Sequence, residues 1–105
     1  MAVFVIWESR FTEEGAAAGA EVRRRIWSDM RDFEGYLGHQ IIQDLDDPRH
    51  LLIVSRWLRR EVADAARDRY AAHENARLAT SLAREPRRRF VRTPLPTTGP
   101  ERSEP

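Results

Sequence analysis

Two short, continuous runs of apolar residues in the sequence each predict a buried β-strand. The first is AVFVIW, in a strand predicted over residues 2–10, and the second is LLIVSRWL at residues 51–58. Both runs are rich in β-branched and aromatic residues and place apolar side chains on both faces of the strand. These two strands are therefore predicted to lie at the centre of a sheet.

A helix is predicted between these strands. Its apolar stripe repeats every three or four residues and comprises Ala18, Val22, Ile26, Met30 and Phe33. Thr12 is the predicted N-cap, and Glu13 and Glu14 are predicted in the first turn, where the helix dipole favours acidic side chains.

The rest of the chain predicts a hairpin, a second helical region and an edge strand. Alternation over residues 37–45 predicts a strand, and the Asp-Asp-Pro-Arg turn at 46–49 joins it to the strand at 51–58. Residues 59–82 have helical periodicity that is interrupted at His73. Residues 87–93 predict a short edge strand.

The order β-α-β-β-α-β is typical of the ferredoxin-like α+β fold, a four-stranded antiparallel sheet with two helical regions on one face. The domain is predicted over residues 1–93, and the Pro-rich segment 94–105 is predicted to be a disordered tail. Two helical regions cover only one face of such a sheet. Because the other face also carries large apolar side chains, we expect a homodimer in which a second copy covers it.

The residue composition excludes several kinds of catalytic and binding site. The 105 residues include no cysteine, and all 18 basic residues are arginine against 17 acidic residues. A thiolate metal site, a cysteine nucleophile and a Schiff-base lysine are therefore excluded. The near-neutral charge argues against nucleic-acid binding, and no run approaches the length of a membrane span, so we expect a cytoplasmic protein that binds neither. The arginine runs at 23–25, 59–60 and 87–89 are interpreted as solvated faces, and no metal site is predicted.

The segment GYLGHQIIQDLDDPRHLLIVSRW at residues 35–57, with YAAHENARL at 70–78, resembles the antibiotic biosynthesis monooxygenase (ABM) family. This resemblance implies a dimeric α+β barrel with a pocket between the helices and the sheet of each subunit. Some members oxidise phenolic polyketides with dioxygen and no cofactor, whereas others degrade haem. Characterised oxygenases of the family place an asparagine on the first strand. Since the only asparagine here is Asn75, haem degradation is not expected.

The resemblance and the helical spacing suggest which residues approach the pocket. Trp57, which ends a central strand, would stack on an aromatic substrate and donate its indole N–H. His73 would be the general base, because an imidazole titrates near neutral pH. Tyr70 lies one helical turn before His73, and Arg77 would hold an anionic substrate. The catalytic candidates are therefore His73 and Trp57, with Tyr70 and Arg77 as substrate-binding residues.

Three further substrate-binding candidates, Trp27, Tyr36 and His39, would add aromatic walls to the pocket. The alternatives are core packing for Trp27 and an exposed edge position for His39. The predicted function is a cofactor-independent monooxygenase that oxidises an aromatic polyketide-like phenol with dioxygen in antibiotic or secondary-metabolite biosynthesis. The alternatives are a non-redox polyketide cyclase, a dimer that only binds aromatic small molecules, and a structural dimer without a working pocket.

Overall fold

The computed structural model describes residues 2–95 and has the predicted order of elements. The described elements are β1 (Val3–Arg10), α1 (Ala16–Asp29), β2 (Tyr36–Gln43), β3 (His50–Trp57), α2 (Arg60–Tyr70), α3 (Glu74–Leu82) and β4 (Arg88–Arg92). A single 3-10 turn, Met30–Asp32, follows α1. The predicted second helical region is thus two helices, separated at the predicted interruption.

The four strands form one sheet in the order β2-β3-β1-β4, and all neighbours are antiparallel. The two strands with continuous apolar runs, β1 and β3, are central, which confirms the prediction. Val5 lies opposite Ser55, and Trp7 lies opposite Ile53. Successive residues point to opposite faces of a strand, so this register assigns every β1 side chain to one face.

The helices pack on the face of the sheet to which Val5, Ile53 and Trp57 contribute. These side chains are nearly inaccessible to solvent, as are those that the helices direct inward, including Val22, Ile26, Ala66 and Ala79. Removal of this apolar surface from water is the main favourable contribution to the stability of the domain.

The opposite face of the sheet is covered by no element among residues 2–95. It carries apolar side chains from all four strands, namely Phe4, Ile6, Ile42, Leu52, Val54 and Phe90. Most are half-buried, and Ile42 is exposed. We call these six residues the open face. They are the surface on which the predicted second copy would pack.

The start of α1 differs from the prediction. The helix begins at Ala16, and Thr12 instead closes a preceding turn by accepting a hydrogen bond from the Gly15 N–H at 3.0 Å. Glu13 and Glu14 therefore lie before the helix. The buried face also differs, because Ala18 is exposed whereas Gly19 is buried.

Phe11 is fully buried, and a Cβ at Gly19 would lie 2.7 Å from its ring, so α1 lies close against Phe11 at this point. Gly19, Arg23 and Trp27 are buried together with the predicted Val22 and Ile26, so the buried face of α1 is wider than the predicted stripe. The predicted tail from residue 94 onward lies outside the described residues, apart from 94 and 95.

Candidate functional site

A cavity lies between the helices and the covered face of the sheet, where the sequence predicts a pocket. Its volume is about 70 Å³, and the cleft around it contains about 560 Å³ of empty space, part of it open to solvent. Aromatic walls come from Trp7, Trp27, Trp57 and Tyr70, and aliphatic residues such as Ile26 and Met30 complete the apolar lining. Aromatic and aliphatic walls with a small number of polar groups are typical of small-molecule sites, and here the polar groups are mainly arginines.

Trp57 is 2% exposed and lines the cavity at the end of β3. Its indole N–H, which the sequence analysis assigned to a ligand, donates instead to Ser55 Oγ at 3.0 Å. The Ser55 hydroxyl in turn donates to the Val5 carbonyl at 2.9 Å. This chain of hydrogen bonds holds the indole ring in place, so that Trp57 offers the cavity an apolar surface.

The other aromatic candidates support this ring. The Trp27 ring lies 6.4 Å from Trp57 at an edge-on angle, and the Tyr36 ring lies 5.7 Å from Trp57. His39 lies 5.5 Å from Trp27 and shares a 2.5 Å hydrogen bond between its Nδ1 and the Tyr36 hydroxyl. Trp27 lines the cavity, whereas Tyr36 and His39 do not belong to its lining.

His39 is held in its neutral form. Burial, and to a lesser extent the positive charge of Arg31, lowers the pKa of His39 below its ordinary value. A neutral ring beside Trp27 avoids an unpaired charge in the aromatic cluster.

Tyr70 contributes its ring to the lining of the cavity, and its hydroxyl is held in hydrogen bonds with other side chains. The hydroxyl donates to Asp29 Oδ2 at 2.6 Å, and the Asn75 side-chain amide lies 3.4 Å from it. Burial, followed by the hydrogen bond to Asp29, raises the pKa of Tyr70 to about 12. At neutral pH this phenol is therefore a proton donor tied to a carboxylate, and it cannot serve as a base.

His73 does not line the cavity, contrary to the placement expected from its spacing. It is exposed, and its Nδ1 accepts a hydrogen bond from the Asn75 N–H at 3.0 Å, which makes it the N-cap of α3. Its ring stacks on the outer side of Tyr70, with centroids 4.4 Å apart. The three-residue spacing places side chains on one face only within a continuous helix. Here α2 ends at Tyr70, so the rule does not apply.

Arg77 also lies away from the cavity. It is exposed on α3, whose Ala76 and Ala79 face the core. Among the described residues it makes no ion pair and does not belong to the cavity lining.

Arg23 is the most important cavity residue that the sequence analysis missed. It is 1% exposed, and its Nη2 donates to Ser9 Oγ at 2.6 Å, while its Nε has no hydrogen-bond acceptor. Burial and the nearby charge of Arg87 lower the pKa of Arg23 to about 9. The interpretation of residues 23–25 as a solvated face is thus wrong for Arg23. The four-residue spacing from Gly19 through Arg23 to Trp27 was the signal that could have revealed it.

Two arginines around β4 complete the cationic side of the cavity, and the interpretation of residues 87–89 as a solvated face is wrong for both. The guanidinium carbons of Arg87 and Arg89 lie 4.8 and 5.6 Å from the Trp7 ring centroid. Arg89 donates from Nη2 to Asp64 Oδ1 at 2.7 Å, and its Nε has no acceptor. Burial lowers the pKa of Arg87. Arg67, paired with Asp68, is the fourth arginine of the lining.

Residues 2–95 provide neither a metal site nor a membrane-spanning helix. That part of the chain contains no group of three or more His, Cys, Asp or Glu residues placed to hold a metal ion. Nor is any of its helices long and apolar enough to cross a membrane.

Comparison with known proteins identifies the class to which this aromatic-walled α+β domain belongs. The sequence profile of the antibiotic biosynthesis monooxygenase family matches residues 2–78. The chain belongs to this family. No curated protein gives a significant sequence match.

Solved structures with the same fold include SnoaB, a cofactor-independent oxygenase from Streptomyces nogalater. It is 14% identical, with a TM-score of 0.76, and the match covers 91% of this chain and 94% of SnoaB. An antibiotic biosynthesis monooxygenase is 18% identical, with a TM-score of 0.75 and coverage of 90% and 99%. A conserved protein from Methanosarcina mazei Go1 is 13% identical, with a TM-score of 0.74 and coverage of 87% and 90%. At these identities the likeness establishes the fold.

Proposed function

We propose that this protein is a cofactor-independent monooxygenase that oxidises an aromatic polyketide-like phenol with dioxygen. The observation that carries the proposal is the cleft between the helices and the sheet, which is walled by Trp7, Trp27 and Trp57. Three indole rings provide large, rigid apolar surfaces for a planar aromatic ligand. Family membership supports oxygenation as the reaction.

The substrate would supply the electrons itself. In a phenolic anthrone, loss of a proton from the ring methylene gives an electron-rich anion that transfers an electron to dioxygen. The resulting radical pair combines into a peroxide, which takes up a proton and loses water to leave a carbonyl group. One oxygen atom enters the substrate and the other leaves as water, so dioxygen accepts the four electrons that the methylene carbon gives up.

The protein would orient the substrate, exclude water and favour the ionised form. The lining contains four arginines and no carboxylate or histidine, and Tyr70 is occupied as a donor to Asp29. Such a site stabilises an anion, and it leaves the proton to be lost to solvent. Trp57 and Trp27 would hold the ring, supported by Tyr36 and His39. His73 and Arg77 are not part of this proposal, because neither lines the cavity.

Dioxygen uptake with 1,8-dihydroxyanthrone tests the proposal directly. We expect one dioxygen consumed for each quinone formed, at a rate above that of the anthrone in buffer. Trp57→Ala should weaken anthrone binding by ~1–3 kcal/mol, since it removes an aromatic wall. Quenching of tryptophan emission by the anthrone without any added dioxygen uptake would contradict oxygenation. The protein would then be a non-redox cyclase or a binding dimer.

A further inference from the structure

We infer that the Arg23 end of the cavity is a subsite for the carboxylate group of an aromatic acid. The inference rests on the proposed function only in taking that acid to be the substrate. It adds a substrate class, namely planar aromatic molecules that carry a carboxylate in addition to the ring that reacts.

The first observation is that Arg23 is a buried cation without a counter-ion. The only hydrogen bond of its side chain is to Ser9 Oγ, a neutral acceptor, and its guanidinium carbon lies 5.7 Å from the Phe11 ring centroid. It has no carboxylate within ion-pair distance among residues 2–95. A buried charge is costly unless it is paired. Ser9 is itself almost fully buried, so it holds the guanidinium in place beside the cavity without neutralising it.

The second observation is that the positive charge continues along the same wall. Arg87, which also lacks a carboxylate partner among the described residues, lies close enough to Arg23 to lower its pKa. Among residues 2–95, the two buried side-chain atoms without a hydrogen-bond partner are the Nε atoms of Arg23 and Arg89, and both side chains line the cavity. The nearby carboxylate of Asp64 pairs with Arg89 and does not line the cavity. This part of the lining therefore has hydrogen-bond donors without acceptors and a net positive charge.

The chemistry of the empty donors indicates a carboxylate. An ionised carboxylate has two oxygens and about four acceptor positions, and arginine binds it with charge-assisted hydrogen bonds. A phenolate offers one oxygen and would leave more of these donors unpaired. The remaining walls are apolar and aromatic, and the Arg87 and Arg89 guanidinium groups lie over the Trp7 ring. A ligand with a carboxylate at one end and an aromatic body matches both parts.

Isothermal titration calorimetry with 2-naphthoate and its neutral analogue 2-naphthamide tests this subsite at neutral pH. We expect the wild-type protein to bind naphthoate about 10- to 100-fold more tightly than naphthamide. Arg23→Met should remove that preference, because it should weaken naphthoate binding far more than naphthamide binding. The matched control is Arg24→Met, because Arg24 is the next residue of α1 but is exposed and paired with Glu21. This control should behave like the wild-type protein.

The melting temperature of each variant separates a ligand anchor from a structural arginine. If Arg23 is a ligand anchor, the melting temperature of the ligand-free Arg23→Met protein should equal or exceed that of the wild-type protein, because the substitution removes an unpaired buried charge. A lowered melting temperature together with loss of naphthamide binding would overturn the inference. Should Arg23→Met fail to fold, equal affinity of the wild-type protein for naphthoate and naphthamide would still overturn it. Binding of inorganic phosphate as tight as that of naphthoate would do the same.

Dioxygen uptake distinguishes failure of this inference from failure of the proposed function. Arg23-dependent naphthoate binding without uptake by any phenol would support the subsite and contradict the oxygenase. Uptake that is equally fast with neutral phenols and with phenolic acids in both the wild-type protein and Arg23→Met would support the oxygenase and overturn the subsite.

Discussion

The indole N–H of Trp57 donates to the hydroxyl of Ser55, two residues earlier on the same strand, across 3.0 Å. Ser55 is fully buried, and its hydroxyl donates a hydrogen bond to the Val5 carbonyl of the neighbouring strand. A small side chain thus fixes one of the three indole rings of the cavity to the centre of the sheet.

Ser55→Ala should therefore lower the free energy of unfolding by roughly 1–3 kcal/mol. The buried Trp57 indole N–H would lose its acceptor, and the buried Val5 carbonyl would lose one donor. Urea denaturation measures the change. The control is Ser81→Ala, whose hydroxyl donates to the Leu78 carbonyl at an exposed position and whose loss should cost far less. Equal effects of the two substitutions would show that the Trp57 hydrogen bond contributes nothing special.

Gly35 should not tolerate a side chain. It has φ +82°, and a Cβ there would lie 2.3 Å from Val62 Cγ2. Gly38 also has a positive φ, +146°, but a Cβ there would meet nothing closer than 3.9 Å. Gly35→Ala should cost roughly 1–3 kcal/mol more than Gly38→Ala in thermal or urea unfolding, since only the former adds a clash to the backbone strain. A larger loss for Gly38→Ala would contradict this assignment.

The open face should form the interface of a homodimer. Phe4 and Ile6 point to this face, whereas Val5 and Trp7 point to the helices. Ile6→Glu would place an unpaired charge in the interface and should convert the dimer into a folded monomer, as measured by sedimentation equilibrium at micromolar concentration. Leu45→Glu is the control, because Leu45 is 98% exposed. A wild-type protein that sediments as a monomer would exclude this assembly.

Tyr70 should make the stability of the domain fall between about pH 10 and pH 12. Because burial and Asp29 raise the pKa of Tyr70 from 10.0 to about 12, the unfolded chain loses this proton first. The unfolded state then binds fewer protons than the folded state, so stability decreases as the pH rises through this window. The difference in unfolding free energy between the wild-type protein and Tyr70→Phe should shrink by roughly 1–2 kcal/mol across it. Parallel stability curves for the two proteins would refute the prediction.

The sequence was sufficient to predict the sheet, because the apolar pattern of a strand has a short period and is easy to recognise. The runs at β1 and β3 are apolar on both faces, a property typical of the central strands of a sheet. Trp57, Trp27 and Tyr70 also lie at the cavity as expected, since each follows directly from its place on a strand or helix. The hairpin register then brings Tyr36 and His39 to the same cluster.

The sequence was insufficient where a local rule depended on tertiary contacts. Arg23 looks like one of three consecutive surface arginines, but it lies between the buried Gly19 and Trp27 on the inner side of α1. Composition favours an exposed arginine, because a buried one without a partner is rare. Departures of this kind from sequence-level rules are expected at functional or strained sites. The position of His73 was wrong for a different reason: it was inferred from the three-residue spacing to Tyr70, although the pattern itself is interrupted at His73, and in the structure α2 ends at Tyr70 and His73 begins α3.

His73 provides the last prediction, because its two possible roles give opposite results for one pair of variants. As the N-cap of α3, it accepts a hydrogen bond from the Asn75 N–H through Nδ1. His73→Ala should then lower stability by about 1 kcal/mol, and His73→Asn should restore most of it, since asparagine is a good N-cap. Neither should change the rate of anthrone oxidation by more than a few-fold. A general base would instead lose about 10²- to 10⁴-fold in rate in both variants, because an asparagine amide cannot accept the substrate proton. Urea denaturation and dioxygen uptake on the same two proteins therefore decide whether His73 acts on the substrate or only begins a helix.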